Sequence, residues 1–193
     1  FAIPINAAKK ALVDIKKYYF DTSKWYNPKN YPININLPIL TTRSCPNQCT
    51  YCSMYQVHGR GFRKRSVENV IDEIEYLYNR FNHRYFSFTD DNLSFDKERI
   101  IRICSEIVRR GIKIQFDTPN GLDMNRLDSE IIQALVSAGL IKTTLAVESG
   151  SPKIRKSINK FLPQEKIFDV VDAVRKFPEV RFQPGLFPQP SLL

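Results

Sequence analysis

Cys45, Cys49 and Cys52 fall within eight residues, in the run Cys45-Pro46-Asn47-Gln48-Cys49-Thr50-Tyr51-Cys52, at C-x3-C-x2-C spacing. Thiolates grouped this closely hold zinc or iron–sulfur clusters, both of which favour soft sulfur ligands. A structural zinc is closed by four ligands, and no Cys or His nearby completes a second C-x2-C pair. His58 lies six residues beyond Cys52, without zinc-finger spacing. Three thiolates on a four-iron cube instead leave one iron open to a small molecule, and an open position marks catalysis rather than scaffolding. To present such a loop the chain needs a strand before it and a helix after it.

The pattern around the cysteines supplies both. Residues 37–42 read as a short apolar strand, and residues 66–81 as a helix with Val67, Val70, Ile71, Ile74, Leu77, Tyr78 and Phe81 at helical spacing and Ser66 as N-cap. A strand at 85–89 is followed by a helix at 96–110 whose apolar set is Ile100, Ile101, Cys104, Ile107 and Val108, stopped by Gly111. A strand at 112–117, a turn from Asp117 to Gly121, and a helix at 129–138 carrying Ile131, Ile132, Leu135 and Val136 come next. A strand at 143–147 leads to helices at 152–158 and 164–177, and a fifth strand at 180–183 runs toward Gly185. Strands alternating with helices imply βαβ units and a parallel sheet. Ahead of them, residues 1–36 hold an amphipathic helix candidate at 7–19 and a Pro-punctuated aromatic passage, read as a linker or N-terminal extension to a unit spanning 37–193.

With an aromatic residue, Tyr51, directly before its last cysteine, the motif resembles the signature of the radical S-adenosylmethionine (radical SAM) enzymes. The resemblance implies that Cys45, Cys49 and Cys52 bind a 4Fe–4S cluster whose open iron takes the amine and carboxylate of S-adenosylmethionine. It implies a partial parallel (β/α) barrel of six strands, of which about five are present here, so the chain looks truncated at its C-terminal side. The activity implied is reductive cleavage of S-adenosylmethionine to a 5′-deoxyadenosyl radical that removes a hydrogen from an unreactive carbon. An external electron donor such as flavodoxin or ferredoxin is implied as well.

In parallel α/β folds chemistry gathers at the carboxyl ends of the strands, which directs attention to four further places. The second strand ends in Thr89-Asp90-Asp91-Asn92, where the family often has a Gly-Gly-Glu-like segment; Asp90 or Asp91 supplies a carboxylate to accept from an ammonium, and a helix-entry turn is the other meaning of the run. After the third strand, Asn120 sits in a turn-like run and is a candidate cofactor contact. The fourth ends in Glu148-Ser149-Gly150-Ser151 before Pro152, where a carboxylate and hydroxyl at a helix start suit a ribose or a methionine head. The fifth closes on Gly185-Leu186-Phe187-Pro188, with Gly185 expected near the adenine; Phe187 and Gln189-Pro190 depart from the Gly-x-Pro-Gly-Glu usual there. The Glu-Ser-Gly-Ser run, Lys160, Arg65 and this ending make the barrel most similar to the radical SAM subgroup that carries a cobalamin-binding domain. That likeness implies methyl transfer to carbon with cobalamin bound by a domain not in this chain. No residue is assigned a catalytic role beyond binding.

The bulk properties are those of a globular chain of 193 residues, 42% hydrophobic and 25% charged. No apolar run approaches the roughly 18 residues of a membrane span, and a reduced thiolate cluster points to the cytoplasm. The chain opens on Phe1 rather than Met, as an excised or processed segment would. A net charge of +9 suits an anionic partner, RNA included, or reflects separation from an acidic neighbour. The substrate is therefore open between a small molecule and RNA. Two rival readings stand beside the first: a tRNA-modifying enzyme similar to the methylthiotransferases, and a non-catalytic iron–sulfur module for electron transfer or structure. Cys104 reads as a buried core thiol, and the run from Arg60 to Arg65 as a solvated basic loop.

Overall fold

A computed structural model of the chain describes residues 37–186. The helix expected at 7–19, the linker at 1–36 and the run from Phe187 to Pro190 lie outside the described residues. In order, the chain forms strands β1 (Leu37–Ile39) and β2 (Thr42–Arg43), helix α1 (Met54–His58), strand β3 (Arg63–Lys64), helix α2 (Val67–Phe81), strand β4 (Tyr85–Phe88) and helix α3 (Lys97–Arg109). Strand β5 (Gln115–Leu122), helix α4 (Ser129–Ser137), strand β6 (Leu140–Glu148), helices α5 (Pro152–Ser157) and α6 (Gln164–Val174) and strand β7 (Arg181–Leu186) follow. Five strands form one parallel sheet in the order β1-β4-β5-β6-β7, while β2 and β3 make a separate antiparallel pair. Sheet order that follows chain order is what successive βα units produce when each crossover returns beside the last. The result is the five-stranded part of a (β/α) barrel.

Alternation along the strands decides which face meets the helices. Phe86, Phe88, Phe116, Leu145 and Val147 are buried, and they pack with Val70, Ile71 and Ile74 of α2, Ile103 and Ile107 of α3, Ile131 and Leu135 of α4, and Val170 of α6. The intervening Ser87, Asp117, Lys142, Thr144 and Ala146 are only half-buried, on the opposite, concave face of the sheet. The helices begin where the sequence signals them. Ser66 Oγ accepts from the amide of Asn69, Asp96 from that of Arg99 and Asp128 from that of Ile131, each satisfying an otherwise orphaned donor.

Three local expectations are corrected. The strand expected over 37–42 divides: β1 ends at Ile39, and Thr42 belongs to the pair with β3. On α3 the buried stripe is Ile100, Ile103, Cys104 and Ile107; Ile101 is half-buried and Val108 is 54% exposed, because the stripe lies about one residue off the phase expected. The expected turn from Asp117 to Gly121 is strand. β5 runs through it to Leu122, and a register shift against β6 between Thr118 and Leu122 absorbs Pro119, which has no N–H to give to a ladder. Gly121 takes φ +83° there, and a Cβ on it would lie 3.0 Å from the Thr144 carbonyl oxygen, so a left-handed, side-chain-free residue is required.

One buried cation ties the end of β6 to the helices after it. Arg155 is 2% exposed and donates to the carbonyl of Ser149 (2.7 Å), the carbonyl of Leu162 (3.0 Å) and Oε1 of Gln164 (3.0 Å). Removing it orphans three acceptors, so Arg155→Leu should cost about 3 kcal/mol or more. For a chain of this size that is a fall of roughly 6–12 °C in Tm. Arg155→Lys keeps the charge but not the fork, and thermal unfolding followed by circular dichroism should place it between wild type and Arg155→Leu.

Candidate functional site

The cysteine loop is aimed by the two carboxylates that end β4. Asp90 is 1% exposed, and it accepts from the Thr41 amide (3.3 Å), the Thr41 hydroxyl (2.7 Å) and the Thr42 hydroxyl (2.6 Å). Arg99 donates to the same residue from below, to Thr41 Oγ1 at 3.1 Å and to its carbonyl at 3.2 Å. Burial pushes the Asp90 carboxyl above its usual range, against the pull of these hydroxyl donors. Asp91 works one residue further along. Its Oδ2 accepts from the backbone of Ser44 at 2.7 Å and lies 2.6 Å from Nδ1 of His58. Ser44 holds φ +72°, a left-handed conformation costly for a non-glycine residue, and the bond to Asp91 helps to stabilise it.

The far side of the loop is held by other elements. Thr50 N–H donates to the Ile158 carbonyl at the end of α5, Asn159 Nδ2 donates to the Gln48 carbonyl, and Asn47 Nδ2 donates to Asp123 at 2.8 Å. Loop residues thus touch the ends of β4, β5 and α5. Between them lies a cavity of about 360 Å³, lined by Cys45, Cys49 and Cys52 together with Tyr51, Asp91, Asn120, Asp123, Glu148 and Lys160. It opens at the carboxyl ends of β4, β5 and β6, where parallel α/β folds place their ligands.

Its electrostatics centre on Lys160, 7% exposed, whose Nζ stands 3.7 Å from Glu148 Oε1 and 3.9 Å from Asp123 Oδ1. Glu148 itself sits at φ +68°, which turns the last residue of β6 out of the strand path. Burial raises the Tyr51 phenol well above its usual value, and its hydrogen bond to Glu148 raises it further, so the hydroxyl stays protonated and donates to the carboxylate. Burial also raises the Cys49 thiol, opposed by the nearby ammonium of Lys160. Asn92 Nδ2 donates to Cys45 Sγ at 3.3 Å.

Of the residues singled out in the sequence, Cys45, Cys49, Cys52, Tyr51, Asp91, Asn120 and Glu148 line this one cavity. Asn120 does so while its amide donates to the Thr89 carbonyl at 2.9 Å. Three others stand outside the lining. Asp90 is turned into the interior as described, Ser149 accepts from Ser151 N–H through its own hydroxyl (3.1 Å), and Gly185 packs against Thr144, where a Cβ would come within 2.9 Å of a methyl. Asp123 and His58 were not singled out as site residues, nor was the role of Lys160, named only within a motif. A helix-cap Asp and an isolated His carry no local signal; they matter only through what folds against them.

The donor set fits an iron–sulfur cube. Among the described residues no three His, Cys, Asp or Glu side chains converge on a single ion position, yet the three thiols share one cavity wall. A four-iron cube presents separate irons to separate thiolates, so its ligands need not meet at one point.

Comparison with known proteins agrees with this geometry. The family described as the radical SAM superfamily matches residues 39–182. An uncharacterized methyltransferase of Pyrococcus horikoshii is 29% identical over 139 residues, 72% of this chain and 30% of the relative. Cytidylyl-2-hydroxyethylphosphonate methyltransferase of Streptomyces wedmorensis is 27% identical over 144 residues, 74% of this chain and 26% of the relative. The chain therefore spans under a third of these relatives' length. Among solved structures, the radical S-adenosylmethionine methyltransferase TsrM from Kitasatospora setae, with cobalamin and a [4Fe-4S] cluster bound, superposes with a TM-score of 0.69 at 16% identity, over 84% of this chain and 34% of that one.

The site separates the cysteines by reactivity. Cys104 is 2% exposed on α3, and burial pushes its thiol up to about 12. Because the thiolate is the nucleophile, iodoacetamide at about pH 8 should modify Cys45, Cys49 and Cys52 of the metal-free protein and spare Cys104 until denaturant is added. The Cys49 rate should still be climbing above pH 9.0, the unshifted value it exceeds. Peptide mass spectrometry against time reads both outcomes.

Proposed function

The chain belongs to the radical SAM superfamily, and from that membership we propose that it is the barrel core of a radical SAM methyltransferase. Cys45, Cys49 and Cys52 would hold a 4Fe–4S cluster, with S-adenosylmethionine in the cavity beside it. A cluster held there would supply the one electron needed to break the bond from sulfur to the 5′ carbon, giving methionine and a 5′-deoxyadenosyl radical. The observation that carries the reading is the single cavity where the three thiols meet Tyr51, Asp91, Asn120, Asp123, Glu148 and Lys160.

The lining matches such a ligand in charge. Two carboxylates, Asp123 and Glu148, face one buried ammonium, Lys160, and Asp91 lines the same cavity. An added molecule with a sulfonium and an ammonium against one carboxylate relieves that excess. Glu148 is the natural acceptor for ribose hydroxyls or the amine, and Tyr51 holds it in place from the loop side. Asn92, by donating to Cys45 Sγ, stabilises the anionic sulfur, a contact of the kind that adjusts cluster potential. Asp90 acts at one remove, as the residue that positions Thr41 and Thr42.

Methyl transfer is inferred from the methyltransferases it resembles, and cobalamin from the cobalamin-bearing structural neighbour. We place any cobalamin in a part of the protein outside this chain. Among the described residues no helix is long and apolar enough to cross a membrane, and a reduced cluster suits the cytoplasm.

Anaerobic reconstitution with iron and sulfide should give about four irons per chain, the count of a 4Fe–4S cube. Cys49→Ala should abolish the cluster and Cys104→Ala should leave it intact. Glu148→Gln should keep its iron and bind S-adenosylmethionine about tenfold to a hundredfold more weakly, the loss expected for a charge-assisted hydrogen bond. Calorimetric titration decides the last point. Stoichiometric zinc that iron cannot replace, or equal affinity in Glu148→Gln, would overturn the corresponding part of the reading.

A further inference from the structure

From Arg43 to Ser66 the chain carries Arg43, Arg60, Arg63, Lys64 and Arg65 and no Asp or Glu at all. Some of these charges are answered from elsewhere in the fold: Lys64 pairs with Asp96 and Arg65 with Glu73, each at 2.6 Å. Arg63 donates only to the backbone carbonyls of Gly61 and His58, and the Arg60 guanidinium lies 5.1 Å over the ring of Tyr55. Among the described residues neither Arg60 nor Arg63 forms an ion pair. Both are exposed.

Helix α1 lies in the same stretch and has no buried residue. Five residues are far too few to hold a helix in water. What holds it is at its end, where Ser44 Oγ donates to the Gly59 carbonyl at 2.8 Å and Asp91 grips His58. Two of its apolar side chains face outward, Tyr55 being 47% and Val57 70% exposed, with Tyr51 at 44% nearby in sequence, while Met54 is half-buried. Immediately behind lies a second cavity of about 400 Å³, lined by Cys45, Cys49 and Cys52 on one side and by Tyr55, Arg60 and Gly61 on another. The cysteine loop thus has an inner side toward the carboxylates and an outer side toward this aromatic and cationic rim.

We propose that α1 and the loop after it, through Tyr55, Val57, Arg60 and Arg63, form the docking surface for a small acidic one-electron carrier protein. The proposal rests on the reading of Cys45, Cys49 and Cys52 as holders of a redox cluster. Electron transfer falls steeply with distance, so a donor must seat close to the thiols, and this rim shares a cavity with all three. A compact apolar patch flanked by unanswered cations is the complement of an acidic carrier whose cofactor edge is exposed, since charged rims steer encounter and apolar centres hold the complex. An RNA would instead call for cations laid along a path, and here two of the candidates are already paired within the fold. The step is a single outer-sphere transfer: the carrier is oxidised by one electron, the cluster passes from its 2+ to its 1+ state, and no bond or proton moves.

The test uses a reduced flavodoxin of net negative charge as probe. Its binding to the metal-free protein, measured by thermophoresis, should weaken about tenfold in Arg60→Glu at low salt, and the difference should close as salt shortens the screening length to a few ångströms. Arg175→Glu makes the same change of charge at the exposed C-cap of α6, which lines neither cavity, and should bind as wild type. In the reconstituted protein, stopped-flow reduction by flavodoxin should slow in parallel while dithionite, too small to need the surface, reduces both proteins alike. Val57→Asn, which removes apolar surface without adding a charge, should weaken binding in a way that salt does not restore. Equal binding by wild type and Arg60→Glu, no binding at all, or loss of oligonucleotide binding in Arg60→Glu with flavodoxin unaffected would each overturn the proposal. A protein that binds flavodoxin as described but takes up no cluster would instead count against the reading of the cysteines.

Discussion

Adjacent carboxylates at the end of β4 hold the exit of the first strand, and everything at the cavity depends on that grip. Asp90 reaches inward to Thr41 and Thr42, and Asp91 reaches to Ser44 and His58. The chain leaving β1 is therefore clamped at three residues over a short distance, directly before Cys45. Asp90 is nearly free of solvent, and a buried carboxylate is tolerable only because three donors meet it. Arg99 closes the same knot by donating to the hydroxyl and the carbonyl of Thr41 and to the Arg65 carbonyl. Loss of any one member leaves its buried partners short of a hydrogen bond, so the knot is cooperative. A loop that must place three thiols around one object needs such a rigid root.

The rest of the site follows from a charge balance set up around Lys160. A lysine this buried is held near Glu148 and Asp123, and these carboxylates in turn reach the loop through Tyr51 and Asn47. The cation thus joins β6, β5 and the cysteine loop into one electrostatic unit. It also lowers the thiol of Cys49 against the effect of burial, easing formation of the thiolate that a metal requires. The same interactions that stabilise the loop leave the Cys49 thiol easier to deprotonate than burial alone would.

Strained backbone is concentrated at these points. Ser44 and Glu148 both hold positive φ without being glycine, one at the entry to the loop and the other at the end of β6. Each is held by a bond that would not exist in another conformation: Ser44 by Asp91, and Glu148 by Lys160 and Tyr51. Strain of this kind persists where its surroundings overdetermine it, as at binding sites.

Much of this was legible from the chain alone. Cysteine spacing pointed to the family because metal ligation is a matter of residue type and close interval. The order of strands and helices stated the fold because each element carries its own period and cap: Ser66, Asp96 and Asp128 sit where their helices begin. Other features were illegible for a common reason, which is that they depend on direction rather than on type. Asp90 and Asp91 are the same residue side by side, and only packing turns one into the interior and the other toward the loop and cavity. Asp117 to Gly121 has turn residues throughout, yet pairing with β6 draws it out as strand, since ladder bonds to a fixed neighbour outweigh local turn preference. Lys160, Asp123 and His58 lie far from the cysteines along the chain or lack any motif, and they reach the site because the fold packs the cysteine loop against them at the carboxyl ends of the strands. What the sequence by itself determined was the family and the architecture that carries the cysteine loop; which polar side chains surround that loop was decided only in the tertiary structure, where burial made each of them find a partner.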